Sequence, residues 1–587
     1  MKTQNATTDF SLNDFYLKFK NEIYNLLGRN FTSFNNFINA SSDLYIISDE
    51  QDEIISKMIK DIDDYVKSES IPVRNTILFI PSYYLIKFTR IIDIFMMLSL
   101  KLRGCRIVPV ITNQFHNEEC IFWGGYYKKN RTENQKKYDI LERKLWIDTL
   151  KAEPLFLTDY RSDADIIEGS DAASKINLNN YNNFVYKGFH AGKQAAIVTC
   201  NLNNMPILKI DDDLEKQLKI HTSNIVELVN AYEKIYNKLR PDFVVSNCAF
   251  YYKWGVPLHI ALGLKIPFYS VSMAERKNCF FFSYNSYQMN DSSSAWKTFK
   301  VSELEQKEID FIEHAVSTRM KKGVSYYSTY ISYAKDENAE KIEKMLKSKP
   351  TAFFPANILF DSIVYQNSPA FENIIEMIRK TILFFNNNPQ YQIIIKAHPC
   401  ERIHYNDGPT FSENCLKSVI DRLDAKLNDN IIFIDFDSDL SSYDIYPYIK
   451  FGITWASSTA MEMCWLGKPV INVADAHYQN KGFTYEPQNE NNYYELIHHF
   501  FKVTENPEEI EERIRLSKKY YYLYLYHSNV DFKLFQGCDY LIVQEKMLFN
   551  SFRELLPGKN KALDYICDSM TNKLPVFGEN RWPPLTI

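Results

Sequence analysis

Two short clusters in the second half of the chain carry residue types able to handle an anionic leaving group. Lys396-Ala397-His398-Pro399 sets an ammonium beside an imidazole, and Ser457-Ser458-Thr459 supplies three hydroxyls. Lys396 can neutralise phosphate charge, and His398 can give a hydrogen bond or a proton to a departing phosphate oxygen. Pro399 disfavours helical geometry at His398 and so leaves it extended. The hydroxyls stand at a predicted helix start, where unpaired N–H groups and the dipole favour an anion. Glu462, one turn later, could accept hydrogen bonds from ribose hydroxyls. Thr459-Ala460-Met461-Glu462 also fits the capping box S/T-x-x-E, which needs no ligand at all.

Each cluster follows a run that reads as a buried strand. Tyr391–Ile395 is apolar but for Gln392, as expected when helices cover both faces of a sheet. Ile431–Asp435 and Tyr448–Thr454 repeat the pattern, and Gly467-Lys468-Pro469 precedes a further apolar run that leads to His477–Thr484. This is βαβ grammar, with polar residues where parallel strands hand over to helices, which is where open α/β sheets bind ligands. Asp435-Phe436-Asp437 has the form of a DxD metal motif but reads as a strand end and loop, so no metal and no cofactor are expected.

The same grammar occurs earlier. Thr76–Pro81 is a short apolar run, a helical stretch follows to about Leu102, Gly104 stops it, and Arg106–Ile111 reads as a second strand. Pro241–Asn247 and Ile266–Val271 form another such pair, with Ser246-Asn247 and Glu275-Arg276 at the strand ends. No G-x-G-x-x-G accompanies either unit, which argues against dinucleotide binding. The expected fold class is therefore α/β, with two Rossmann-like domains facing across a cleft and an added helical N-terminal region. Expected boundaries are 1–70 for that region, 71–300 for the first domain, 301–350 for a charged helical connector, 351–515 for the second domain and 516–587 for a helical and irregular tail.

A base to activate an acceptor has less obvious candidates. His190 sits between two glycines in Tyr186–Lys193, Glu275 follows a predicted strand, and Asp212 lies in the acidic triplet Asp211–Asp213. The triplet serves equally well as a helix cap and dipole partner.

At 587 residues the chain must hold more than one core. A 45% hydrophobic and 24% charged composition with net charge -5 describes a globular protein and argues against a nucleic-acid binder. Ten cysteines are scattered with no CxxC pair, the pattern of reduced thiols in a cytoplasmic protein. No signal peptide is read at the N-terminus, and the most apolar span, Ile91–Leu102, is too short for a membrane helix. Any membrane contact is expected to be peripheral.

The ordered series of strand–His-Pro, strand–Asp, strand–Ser-Ser-Thr, helix–Glu and Gly-Lys-Pro resembles the carboxyl-terminal domain of the bacterial capsule polysaccharide biosynthesis family. Its characterised members are GT-B-type glycosyltransferases, several transferring Kdo from CMP-Kdo. The His-Pro and Ser-Ser pairs also resemble the nucleotide-contacting motifs of bacterial GT-B sialyltransferases. The resemblance is specific over residues 350–490, and the Asp/Glu-Asp/Glu-Gly motif that supplies the sialyltransferase base is missing. It implies that His398, Ser457, Ser458 and Thr459 contact a nucleotide-sugar donor, CMP-, UDP- or GDP-linked, without metal; Lys396 and Glu462 join this donor set on their own chemistry. It further implies that the acceptor is a surface polysaccharide or lipid-linked glycan and that His398 is a catalytic candidate; with the base motif missing, the base stays undetermined among His190, Glu275 and Asp212. A cytoplasmic location follows, with contact at the inner membrane or a polysaccharide assembly complex left open. Rival expectations are a polyol-phosphate transferase of the teichoic-acid type, a nucleotide-sugar 2-epimerase, and a catalytically silent scaffold.

Overall fold

The computed structural model describes residues 49–82, 87–111, 142–209, 211–247, 249–276, 278–287, 291–322, 339–346, 349–359, 361–401, 412–423, 426–438, 440–536 and 546–584. The expected helices within residues 1–48 lie outside these, as do residues 112–141 of the polar, weakly patterned stretch 113–180. The first sheet takes β1 (Asn75–Ile80), β2 (Cys105–Ile111), β3 (Leu155–Phe156), β4 (Phe243–Ser246), β5 (Phe268–Met273) and β6 (Cys279–Tyr284) in the order β6-β5-β4-β1-β2-β3. All neighbours are parallel except β5 and β6. Ile77, Leu78, Phe79 and Ile80 are buried along β1, because helices cover both faces.

The second sheet is parallel throughout. It holds β7 (Thr351–Pro355), β8 (Gln392–Lys396), β9 (Ile431–Ile434), β10 (Phe451–Thr454) and β11 (Val470–Asn472) in the order β11-β10-β7-β8-β9. The chain runs outward from β7 through β8 and β9, then returns to the other flank of β7 to lay down β10 and β11. Beyond the carboxyl ends of β7 and β10 the crossovers therefore diverge, which is the crevice that open α/β sheets use for ligands. In the first sheet β1 and β4 form the corresponding pair.

The tail does not hang free. β12 (Val530–Asp531) pairs antiparallel with β6, and the helix Lys561–Thr571 packs under the first sheet. Tyr269 Oη donates to the Leu574 carbonyl at 3.0 Å, Arg103 pairs with Asp564 at 2.5 Å, and Lys573 with Asp242 at 2.8 Å. Trp582 stands edge-on to Phe299, with ring centroids 5.1 Å apart. The helix Asp49–Ser68 likewise packs into the core through Ile55, Met58, Ile59 and Ile62.

Two helices carry the chain between the sheets, Gln306–Lys322 on the way in and Pro507–Tyr522 on the way out. They are tied by Tyr522 Oη donating to Glu308 at 3.1 Å and by Lys518 pairing with Glu313 at 2.7 Å. Among the described residues no helix is long and apolar enough to cross a membrane.

Candidate functional site

Lys396 is the last residue of β8 and is buried. Its carbonyl accepts from the Ala356 N–H at 2.9 Å, and Ala397 N–H donates to Ile434 at 2.9 Å, so the ladder continues one residue beyond the strand. His398 then leaves the sheet half-buried. Its Nδ1 accepts the Cys400 N–H at 3.1 Å, which puts the proton of the neutral ring on Nε2. The sequence reading missed Glu401 in the same turn. Its carboxylate takes the Leu416 N–H at 3.1 Å and is only 1% exposed. Burial pushes that carboxyl up to about 8; the Leu416 bond and Lys396 oppose the rise, and Asp435 adds to it. Asp435 itself accepts the Phe436 N–H at 2.8 Å, a turn at the end of β9.

Ser457, Ser458 and Thr459 follow β10 and are all half-buried. Thr459 Oγ1 and Ser457 Oγ are 2.9 Å apart, and Tyr478 Oη donates to the Ser457 carbonyl at 2.7 Å. The helix Thr459–Trp465 begins from Ser458, whose backbone is already helical and whose side chain makes no capping bond. The capping box suggested by Thr459 and Glu462 thus does not form. Gly467 ends this short helix at φ +73°, a conformation that a side chain would strain.

Glu462 has other partners than a ribose or a cap. It is 3% exposed and accepts from Arg319 Nε at 2.6 Å, Tyr446 Oη at 2.8 Å and Tyr443 Oη at 3.2 Å. Arg319 comes from the connector helix Gln306–Lys322, where it lies on one stripe with the buried Ile312 and Val316. That i, i+4, i+7 spacing was the available signal that this cation turns inward. Arg319 also faces Glu275, just beyond β5 of the first sheet. Burial lifts the Glu275 carboxyl above its ordinary range, Arg319 and a 2.8 Å bond from Tyr524 Oη pull it back, and Glu462 adds to the rise. Tyr524 stacks on His477 with ring centroids 4.1 Å apart, and burial drives that imidazole down to about 3, so it is neutral. One polar network thus joins the first sheet's edge, the connector and the second sheet's helix.

The remaining candidates separate. His190 is exposed at the N-cap position of the helix Ala191–Leu202 and makes no side-chain cap bond. A Cβ at Gly192 would fall 2.0 Å from the Tyr181 carbonyl, so this glycine is there for a close backbone approach. Lys193, one residue further, donates to Asn367 Oδ1, and Asn367 Nδ2 reaches Asp475 at 3.4 Å. Asp475 lies on the second sheet's carboxyl edge, where Ala474 N–H donates to Trp455 at 2.8 Å. The His190 segment therefore meets the second sheet. Asp212 is exposed in the first turn of the helix Asp212–Leu239, which Asp211 caps by accepting the Leu214 N–H at 3.0 Å. That triplet serves the helix.

Two Rossmann-like units, each with polar residues at the carboxyl ends of its parallel strands, define the GT-B class of architecture. Residues 298–499 match the family described as capsule polysaccharide biosynthesis protein, and the segment holding Lys396, His398 and Ser457–Glu462 lies within the matched region. The match spans about a third of the chain and leaves His190 and Glu275 outside it. No curated protein matches the chain. Among solved structures, KpsC, a beta Kdo 2,4 transferase of Thermosulfurimonas dismutans, is 12% identical over 47% of this chain and 79% of that one, with a TM-score of 0.29. UDP-GlcNAc 2-epimerase from Neisseria meningitidis, bound to UDP-GlcNAc, is 9% identical over 76% and 95%, with a TM-score of 0.22. Superpositions this loose carry no activity over to this chain.

Proposed function

We propose that this protein is a glycosyltransferase that moves a sugar from a CMP-, UDP- or GDP-linked donor to a surface polysaccharide or lipid-linked glycan. The observation that carries the reading is a histidine with its proton on Nε2 at the end of β8 and a hydroxyl cluster at the end of β10. They flank β7 at the sheet's switch point, within the segment that matches the capsule family. Lys396 and His398 would bear on the leaving phosphate, and Ser457, Ser458 and Thr459 on the rest of the nucleotide. Glu462, clamped by Arg319, would set the helix that follows the hydroxyls.

In this reading Glu275 takes the proton from the acceptor hydroxyl as the acceptor oxygen bonds to the anomeric carbon. The bond from that carbon to the phosphate oxygen breaks, and the phosphate departs hydrogen-bonded to His398. Glu275 is favoured over the exposed His190 because it is held by Tyr524 and its carboxyl is raised toward neutrality, as a general base requires. His190 would then contact the acceptor. The proposed setting is the cytoplasmic side of the membrane that receives the glycan, with peripheral contact only.

Thermal-shift titration with CMP-, UDP- and GDP-sugars tests the donor site. At least one class should raise the melting temperature; a folded protein unmoved by all three sinks the reading. His398→Ala should lower transfer by about 10²-fold, and an unchanged rate would make that histidine structural. Product mass separates the rivals, since phosphate travels with the group only in a polyol-phosphate transferase. A 2-epimerase converts its donor with no acceptor present.

A further inference from the structure

Asn357 lies two residues past Pro355, the last residue of β7, at the switch point of the second sheet. The Ala356 N–H bond to Lys396 sets it beside the β8 edge that continues to His398, and the segment after it packs on the β10 edge, where Trp455 Nε1 donates to Val364 at 3.1 Å. Asn357 is only 8% exposed, yet its side-chain Oδ1 has no hydrogen-bond partner among the described residues. A buried acceptor left unpaired costs about 1–3 kcal/mol of desolvation, so one that persists at a strand end calls for an explanation.

Other buried asparagines at the strand ends of this sheet show how such residues are usually settled. Asn472, at the end of β11 on the same edge, accepts from Thr454 Oγ1 at 3.2 Å and Tyr478 Oη at 3.0 Å and donates to the Ala474 carbonyl at 2.8 Å. Asn430, just before β9, donates to two carbonyls, those of Phe385 at 2.8 Å and Tyr391 at 2.9 Å. Ser246 Oγ, at the end of β4, is a second such strand-end atom, and it lies on the first sheet. Among the described residues, Asn357 is thus an orphan at the end of a strand on the edge that carries Lys396, His398 and Ser457.

We propose that Asn357 is a donor-recognition residue whose carbonyl oxygen accepts a hydrogen bond from a neutral O–H or N–H of the bound nucleotide sugar. A phosphate oxygen cannot be that partner, because it has no proton to give; Lys396 and His398 supply the groups that suit a phosphate. The partner is a hydroxyl of the ribose or of the transferred sugar, or an exocyclic amine of the base. A buried polar group of this kind discriminates, since a ligand lacking the matching donor leaves it unpaired again. The inference rests on the proposed donor site.

Titration calorimetry on the full chain tests it, using CMP, UDP, GDP, CMP-sialic acid, UDP-glucose and GDP-mannose. The variants are Asn357→Leu, which keeps the shape without the polar atoms, and Asn357→Ala in case leucine does not fit. Expected is a Kd about tenfold weaker than wild type, while the ligand-free variant melts at or above the wild-type temperature, because no bond has been removed. Weakening with the bare nucleotide places the partner on the nucleoside; weakening only with the sugar nucleotide places it on the sugar. An unchanged Kd in both variants overturns the inference and leaves the donor site standing. A fall in the ligand-free melting temperature of both variants, or failure of both to fold, also overturns it, because Asn357 would then serve the fold. A wild-type chain that binds none of the probes sinks the donor site itself, and the inference with it.

Discussion

The two sheets share one construction rule and differ in the side chains they present. At the second sheet's carboxyl edge stand Lys396, the Nε2–H of His398 and the hydroxyls of Ser457–Thr459, all able to donate to an anion. At the first sheet's edge stand Ser246, Asn247 and the Glu275 carboxyl, with Ser82 Oγ already given to Asp93 at 2.9 Å. Parallel strands aim their ends at a crevice in either case; what each crevice can do is decided by the few side chains at the handover. A donor-rich edge suits a departing phosphate, and a carboxylate edge suits an incoming hydroxyl.

The sharpest way to break this division is Glu275→Gln. Transfer should fall by about 10³-fold with the nucleotide-sugar Kd within about twofold of wild type. In the wild type kcat/KM should rise with pH through the elevated Glu275 pKa, since the base form appears only above it, and this limb should vanish in the variant. A matching loss of donor affinity would mean that the two edges are one site.

Arg319→Met probes the join between them. It leaves Glu462 buried without its counter-charge, held only by the Tyr446 and Tyr443 hydroxyls, so urea denaturation should show a loss of about 3–5 kcal/mol. Adding Glu462→Gln to that variant should recover much of the loss; no recovery would place the role of Arg319 elsewhere.

The smallest expected effect sharpens the donor edge. Glu401 has a folded pKa of about 8 against an ordinary 4.5. Its contribution is therefore complete below about pH 4.5 and is lost as pH rises toward 8. Stability profiles of wild type and Glu401→Gln should diverge across that window by a few kcal/mol at most, the wild type declining more steeply. Parallel profiles would show that the carboxyl is not raised.

Much of this frame was legible in the sequence because parallel strands buried on both faces are unbroken apolar runs. Ile77–Ile80, Val244–Ser246, Ile393–Ile395 and Phe451–Thr454 declare themselves, and so do the polar residues that follow them. The antiparallel additions do not. The pairing of Val530 with Phe280 joins positions far apart in the chain through a two-residue strand that no local period can announce. The site divides in the same way. His398 and Ser457–Thr459 follow from type and position, whereas the partner of Glu462 comes from a connector that reads as a solvated charged helix. Asn357 and Glu401 carry no spacing signal at all, since their meaning lies in a missing partner and in burial.

The antiparallel pairing of β12 with β6 has a consequence for synthesis. The first sheet is not finished by the strands that begin it; it waits for Val530–Asp531 and for the helix Lys561–Thr571. The second sheet has all its strands once Asn472 has been made. Domains form as units while the chain emerges from the ribosome, usually the earlier one first. The edge of β6 along Phe280–Phe282 therefore has no strand beside it until Val530–Asp531 has been made, about 250 residues later.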